Sequence, residues 1–561
     1  MMISRRKSEV PWGIFAVVAV VWAVLLFTSS RSTFWDRDEA RYATASLEMS
    51  QSGNWLYPTF NHELRAFQPV MVYWLMGASI SLFGPSELSV RLVSTVAITM
   101  VCLLIGLIAR EMMGTGTMAA AIAGTSPMLL LTGTAATTDA LLLLFILIVE
   151  GVFVHAWLHG PRRWHVPVMG VAMGFAMLTK GPVGLVVPVL SISTALIMAK
   201  GRSKAGRFGW KLASVVGIAF FIFLAWGIPA NAATGGEYWR IAIVERLPKR
   251  LFTAMENHGG QGLVSFLTHL PYYLVVLAVG FLPWTLYLPW VGRLPKQPKS
   301  GENSGSWSHS PDGLRVLLIG MIVPTLVLMT LIVSKLPHYI QPVFPWLAIF
   351  VALWLVRSGE FATTPSLRRW LRATFLVMGI PAVFLGLGLV GFPWFWAPAA
   401  DFRIAGLVIG VSILALVPVI GFYFWRGEVQ TAARIHVAAV WLLLLAVGVF
   451  VLPVLERIAK PAQTLARELN AQLPEDVLVA TYGWREPGMH FYLGARKLHF
   501  IHDPQALEHW LNEPGPRALI LNESEAGGMV LPPPGFQRMT TQQGWNVVNG
   551  KPLHLSAYLR K

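Results

Sequence analysis

Residues 34–74 read FWDRDEARYATASLEMSQSGNWLYPTFNHELRAFQPVMVYW. The stretch follows the first apolar segment, and with Arg31 just ahead it gathers Asp36, Arg37, Asp38, Glu39 and Arg41. In a chain that is 55% hydrophobic and 13% charged, such a cluster beside an apolar segment is costly unless it faces water or a polar cavity. Ionisable groups at a membrane edge are functional candidates. The competing reading is a solvated loop with ordinary helix-terminal charges.

Outward from this stretch the chain is apolar over most of its length, with mean hydropathy +0.57. Runs of roughly 17–25 apolar residues recur, the length a helix needs to cross the hydrocarbon core. Their continuity, without alternation, selects helices over a barrel. The expectation is a polytopic α-helical membrane protein. Spans fall near 11–29, 91–109, 116–133, 139–157, 165–178, 183–199, 212–230, 270–291, 315–333, 341–356, 373–391, 403–425 and 436–454, about thirteen in all. The segment Val70–Phe83 lies along or re-enters the interface.

Charge orients the spans. Arg5, Arg6 and Lys7 precede the first, and Arg110, Arg162, Arg163, the Lys200–Lys211 cluster, the Arg293–Arg315 linker and Arg368, Arg369 and Arg372 fall on the same side, as cytoplasmic anchors do. The net charge of +16 is therefore membrane anchoring and not a nucleic-acid surface. The basic start reads as an uncleaved first helix. Cys102 stands alone, so the chain forms no internal disulfide. The loop at 30–90 lies outside, as does everything after the last span.

From about Lys460 the composition changes. Helices at 461–472 and 504–512, strands at 476–482 and 517–522, and a strand and turn within 491–501 predict a small α/β domain. It has no nucleotide-binding glycine pattern and reads as a lid or accessory domain. The expected division is a membrane domain over 1–456 and this domain over 457–561.

Under this topology Asp36, Asp38, Glu39, Arg41, Asp139, Lys180, Glu237, Arg240, Glu245, Arg246, His258 and Lys335 share the outer face. A cavity lined by both signs suits an anionic substrate and a group that accepts or holds a proton. Each residue also has a plainer reading. Asp139 in TTD caps a helix, and Lys180 and Lys335 snorkel from span ends. His258 is a loop histidine or a metal ligand. Trp284, Tyr287, Trp394 and Trp396 form an interfacial belt.

Four motifs together carry a family resemblance: Asp38-Glu39-Ala40-Arg41-Tyr42-Ala43 with Gly53-Asn54-Trp55; Thr138-Asp139; Leu178-Thr179-Lys180-Gly181-Pro182; and Ser334-Lys335-Leu336-Pro337 with Tyr339-Ile340, Pro342 and Pro345. With Phe281-Leu282-Pro283-Trp284, the chain over about 30–350 resembles the GT-C class of polytopic glycosyltransferases that use polyprenyl-phosphate sugars. The nearest groups are the bacterial lipid A aminoarabinose transferases and the protein O-mannosyltransferase relatives.

The resemblance implies a bacterial inner-membrane enzyme, active on the periplasmic side. It would move a sugar from undecaprenyl phosphate to a lipid, glycan or protein acceptor with inversion. It implies Asp38, Glu39 and Asp139 as catalytic carboxylates and Arg41, Lys180 and Lys335 as ligands of the donor phosphate. Tyr42, Gln68, Tyr73, His258, His338 and Tyr339 would line the site. The partners would be the lipid-linked donor, the acceptor and membrane lipids, with no nucleic acid and no organic cofactor. Lipid A transferases show Glu-Lys-Pro where this chain has Phe67-Gln68-Pro69, which leaves a divalent metal open, with His258 as its candidate ligand. A lipid-linked glycan flippase is the alternative; transporters place their charges near the midplane, whereas these gather at one face. A non-catalytic assembly subunit fits Gln68 but not the intact acidic cluster.

Overall fold

A computed structural model describes residues 11–35, 37–203, 208–252, 267–288, 307–361, 365–395, 397–474, 477–526, 529–546 and 551–560. Among the described residues nine helical runs are long and apolar enough to cross a membrane: Trp12–Ser29, Glu87–Met113, Asp139–His159, Lys211–Ala233, Pro311–Leu331, Pro337–Val356, Arg368–Phe395, Ala399–Arg426 and Val429–Ile458. Met71–Phe83 and Val183–Ala199 are shorter apolar helices. The chain is a polytopic α-helical membrane protein.

The expected span at 116–133 is two helices, Gly116–Ala123 and Pro127–Gly133. Pro127 cannot donate to the helix ladder, and the intervening Thr125 and Ser126 hydroxyls bond back to the carbonyls of Ala121 and Ile122. Near 270–291 the helix Tyr272–Gly280 gives way to a 3₁₀ turn, Trp284–Tyr287.

The chain divides into two compact units. The first comprises residues 1–27, 66–72 and 93–445. Its helices approach closely where side chains are smallest. A Cβ on Gly320 would lie 2.7 Å from that of Ala195, and one on Gly406 would lie 2.2 Å from the Leu389 carbonyl oxygen. Apolar solvent gives helices little reason to associate, so backbone proximity through small residues supplies the packing. One polar pair inside it joins distant helices: the Trp346 indole donates to the buried Glu150 carboxylate at 2.6 Å. The expected aromatic belt needs correction. Trp284 and Tyr287 are fully buried, the first donating to Thr125 Oγ1 at 2.9 Å and the second 3.0 Å from His436 Nδ1. Their polar tips found partners inside the bundle. Trp394 is exposed, and Trp396 lies outside the described residues.

The second unit comprises residues 28–65, 73–92 and 446–561. The helix Arg37–Ser52 is followed by a short hairpin, β1 (Thr59–Phe60) and β2 (Glu63–Leu64). The C-terminal sheet holds β3 (Leu478–Tyr482), β4 (Leu498–Ile501), β5 (Arg517–Asn522), β6 (Gln537–Asn546) and β7 (Lys551–Arg560), in the order β4-β3-β5-β7-β6. β4, β3 and β5 run parallel, and β7 and β6 add antiparallel. The helix Pro461–Asn470 covers one face through Leu465, Ala466 and Leu469; Leu507 and Trp510 of Pro504–Asn512 cover the other. The β6–β7 hairpin was not expected, because QRMTTQQGWN lacks the apolar alternation that marks a strand.

Packing joins the loop after the first helix to this sheet. The Asn61 side chain donates to the Leu498 carbonyl at 3.0 Å and accepts its N–H at 2.9 Å, extending the free edge of β4. Glu48, buried in the helix, accepts from Thr59 Oγ1 and from the backbone N–H groups of Asn61 and His62. Those two residues hold positive φ angles, 57° and 63°. The Phe34 ring packs on Phe491 and Tyr492, and Glu456 accepts from Thr33 Oγ1 and the Trp35 indole. The expected boundary at 456/457 follows chain order, whereas compactness groups residues distant in sequence.

Candidate active site

Thr138 precedes the helix Asp139–His159 without capping it through its side chain, and Asp139 is the first helical residue. Its carboxylate turns instead to Lys180, the last residue of the helix His165–Lys180. Gly181, at φ +66°, ends that helix in a conformation that side chains disfavour. The Lys180 ammonium donates to Asp139 Oδ1, with each side chain only about a tenth exposed. His338 Nε2 stands 3.9 Å from the other carboxylate oxygen, and the Tyr339 ring lies 5.3 Å from the ammonium. Both come from a 3₁₀ turn, Pro337–Val343, whose Gln341 amide is tied to Thr132. Two charges withdrawn from water persist only with close partners.

These groups stand at one part of a cavity of about 350 Å³ inside the first unit. Phe67, Gln68 and Pro69, the pair Tyr238–Trp239 and Arg246 line it as well; most of the remaining wall is apolar, including Leu142, Met177, Phe220, Phe223, Trp226 and Ile243. Tyr238, buried, donates its hydroxyl to the Gln68 carbonyl at 2.7 Å and sets its ring edge-on to Trp226. The Arg246 guanidinium sits 3.4 Å over the Phe67 ring. An apolar cleft with a few convergent polar groups suits a ligand with a long apolar body and an anionic head.

The structure thus brings Gln68, Asp139, Lys180, His338 and Tyr339 to one cavity. Lys335 does not line it. Its ammonium, buried, donates to the carbonyls of Met329, Thr330 and Ile332 and satisfies the end of the helix Pro311–Leu331. The remaining candidates lie in the second unit. Asp38 is half-exposed and 3.0 Å from Arg41, an i,i+3 pair on the first turn of its helix. Glu39 is buried against Arg91. The Tyr42 and Tyr73 rings, 5.6 Å apart, share Arg65, whose Nε donates to the Tyr73 hydroxyl at 3.2 Å and whose guanidinium lies 5.4 Å from the Tyr42 ring. His258 lies outside the described residues.

Sequence reasoning passed over Arg65, Arg91, Tyr238 and Trp239, and counted Arg246 only as an external charge. Arg91 carried a signal, a lone arginine in the first turns of an apolar helix; Tyr238 carried none that sets it apart from other interfacial aromatics.

The described residues of the cavity do not fit a divalent metal. Its possible ligands are Asp139, already bonded to an ammonium, and His338, while Gln68 supplies only a neutral amide. The described cluster of three metal-ligating side chains, Glu111, His155 and His159, is elsewhere.

Residues 67–226 match the profile of the dolichyl-phosphate-mannose-protein mannosyltransferase family. An undecaprenyl phosphate-alpha-4-amino-4-deoxy-L-arabinose arabinosyl transferase of Pectobacterium carotovorum is 30% identical over 421 residues, which cover 72% of this chain and 70% of that one. The chain belongs to this transferase family. A second such transferase, from Pectobacterium atrosepticum, is 29% identical over 416 residues, 72% of this chain and 70% of its own. The transferase also shares its fold with ArnT from Cupriavidus metallidurans bound to undecaprenyl phosphate, at TM-score 0.76 and 19% identity over 98% of both chains. The apo form of ArnT gives 0.73 at 18% identity over 97% of both. The resemblance carried by the four motifs therefore holds. The protein is a glycosyltransferase of the polyprenyl-phosphate-sugar class, and the enzyme reading prevails over the flippase.

Proposed function

We propose that this transferase moves a 4-amino-4-deoxy-arabinose-type sugar from undecaprenyl phosphate to lipid A at the periplasmic face of the bacterial inner membrane. The names of its relatives supply the donor and the sugar; the positive-inside charge pattern supports the sidedness. The observation that carries the reading is the Asp139–Lys180 pair in a mostly apolar cavity.

In this mechanism the prenyl chain lies along the apolar wall and its phosphate meets Lys180, with His338 and Arg246 close by. The acceptor oxygen attacks the anomeric carbon, and the bond from that carbon to the carrier phosphate breaks with inversion. The leaving phosphate gains negative charge as the bond breaks, so a fixed ammonium stabilises the transition state more than the ground state. Asp139 sets the position of that ammonium. A phosphate acceptor is already ionised at neutral pH and needs no base; Asp38, with Arg41, then guides the acceptor. For a hydroxyl acceptor, Asp38 takes the proton.

The test is transfer from radiolabelled polyprenyl-phosphate sugars to a native lipid extract by purified protein, with Lys180→Ala and Asp38→Asn run alongside. Label reaching lipid A with the aminoarabinose donor alone is the expected result. Transfer undiminished in Lys180→Ala would remove the phosphate role, and label in a different lipid would reassign the acceptor.

A further inference from the structure

A second cavity, of about 510 Å³, lies within the first unit and shares no lining residue with the one that holds Asp139 and Lys180. Three segments meet there. They are the turn at Gly114 and Thr115 that leads into the helix Gly116–Ala123, the helix Phe344–Phe361 at Leu355 and Val356, and the start of the helix Val429–Ala446 at Gln430 and Arg434. Arg110, Arg357 and Arg426 stand close in sequence to these segments, so the positive-inside pattern puts this edge at the cytoplasmic face.

The polar part of the lining is rich in donors, and no carboxylate belongs to it among the described residues. Arg434 is exposed. Glu428, the acidic residue near it in sequence, is held by Arg426 at 2.8 Å and does not line the cavity. Thr115 stands at the N-cap position but makes no capping bond through its side chain. It is only 4% exposed, and its hydroxyl has no hydrogen-bond partner. A buried hydroxyl left unpaired costs free energy that a ligand oxygen would recover. The N–H groups of the first turn, which Thr115 precedes, have no acceptor within their own helix and favour an anion. The Gln430 amide is already committed, donating to the Leu355 and Val356 carbonyls at 3.0 and 3.3 Å. It therefore fixes the helix whose next turn carries Arg434. The rest of the wall is apolar and includes Val17, Met118, Ala121, Val437 and Trp441.

We propose that this cavity binds an anionic phospholipid of the cytoplasmic leaflet through its headgroup phosphate. Arg434, the Thr115 hydroxyl and the first N–H groups of Gly116–Ala123 donate to the phosphate oxygens, and the acyl chains leave along the apolar wall. A guanidinium facing a helix start matches a phosphate in charge and in hydrogen-bond direction. The volume exceeds what a bare phosphate needs and is in the range of sites for larger ligands. An apolar wall at a membrane edge suits a lipid better than a free anion, and anionic lipids are the ligands that basic residues meet there.

The test is thermal unfolding of delipidated full-length protein in a neutral detergent, titrated with phosphatidylglycerol, phosphatidylcholine or inorganic phosphate. Wild type, Arg434→Gln, Thr115→Val and Arg426→Gln are compared. Phosphatidylglycerol should raise the Tm of wild type and Arg426→Gln alike, which separates the site from general attraction to basic residues. Arg434→Gln should need roughly tenfold more lipid for the same shift. Thr115→Val keeps every charge and removes no cap, so it should also weaken the response, and it preserves the test if Arg434→Gln fails to fold. Phosphatidylcholine, whose phosphate carries its own cation, should shift the Tm less. Equal responses of wild type and both cavity variants to phosphatidylglycerol would overturn the site. A shift by inorganic phosphate as large as that by the lipid would overturn the lipid assignment.

Discussion

Arg91 grips the Glu39 carboxylate with two nitrogens, Nε to Oε1 at 2.9 Å and Nη2 to Oε2 at 3.1 Å, and both side chains are buried. The guanidinium also donates to the carbonyls of Ser29, Ser32 and Thr33, and Glu39 accepts the Trp35 N–H at 3.0 Å. The pair therefore fastens the exit of the first helix to the start of Arg37–Ser52. Removing one partner leaves the other charge buried without compensation, so Glu39→Ala and Arg91→Ala should each destabilise by about 3–5 kcal/mol. Replacing both with leucine should recover most of that loss. Thermal unfolding in detergent reads the effect, and wild-type melting of the single variants would contradict it.

The Asp139–Lys180 pair makes a different prediction, because it joins stability to catalysis. Asp139→Asn and Lys180→Gln should each lower kcat/KM by roughly 10²–10³-fold, the range for losing one group that stabilises developing charge. The double variant removes both buried charges. It should melt higher than either single variant while staying as inactive as Lys180→Gln. Recovery of activity along with stability would show that the pair only holds the helices.

Lys335 separates two roles cleanly. Its ammonium serves three carbonyls at a helix end, so Lys335→Met should cost about 1–3 kcal/mol through unsatisfied acceptors. The KM for the lipid-linked donor should not change. A raised KM in a variant of wild-type stability would place the ammonium on the donor phosphate instead.

Asp38 and Arg41 form an exposed pair, worth at most about 1 kcal/mol. Asp38→Asn should therefore melt like wild type, and any fall in transfer rate then reports on the acceptor step and not on folding. A large drop in Tm would show that Asp38 holds the loop together.

The C-terminal sheet should be sensitive to acid. His490, buried between the rings of Phe60 and Phe500, has its pKa pushed down to about 4 by burial. Its neutral form fits the fold, so stability is complete above the ordinary value near 6.5 and falls as pH drops toward 4, by roughly 3 kcal/mol. Glu523 acts in the same direction. Hydrogen bonds from Tyr558 and Ser556 hold its carboxyl below the usual range, and protonation forfeits them. Glu486 opposes both, since burial raises its pKa despite Lys460 at 3.7 Å. Melting of the full chain at pH 7.5, 5.5 and 4.5 should show the decline, and His490→Phe should flatten it. A Tm that does not move across that range would refute the assignment.

The membrane architecture was legible because bilayer length and backbone satisfaction constrain each span locally, and no tertiary information enters that reading. The four motifs were legible as a family for a similar reason: Asp139, Lys180 and His338 each sit at the end of an apolar run, where a charge stands out. Their convergence was not legible. Nothing in Thr138-Asp139 or Leu178-Thr179-Lys180 says that the two side chains meet, or that Lys335, in a motif of equal prominence, turns to carbonyls behind it. Trp284 and Tyr287 read as interfacial by residue type and are core, because burial depends on neighbours far away in sequence, Thr125 at 159 residues and His436 at 149. The same holds for the first loop, whose Asn61 and Glu48 look like ordinary polar loop and helix residues until β4 and the hairpin give them partners. Spacing along the chain determined which segments are helices; packing between segments decided which charges are structural and which line the cavity.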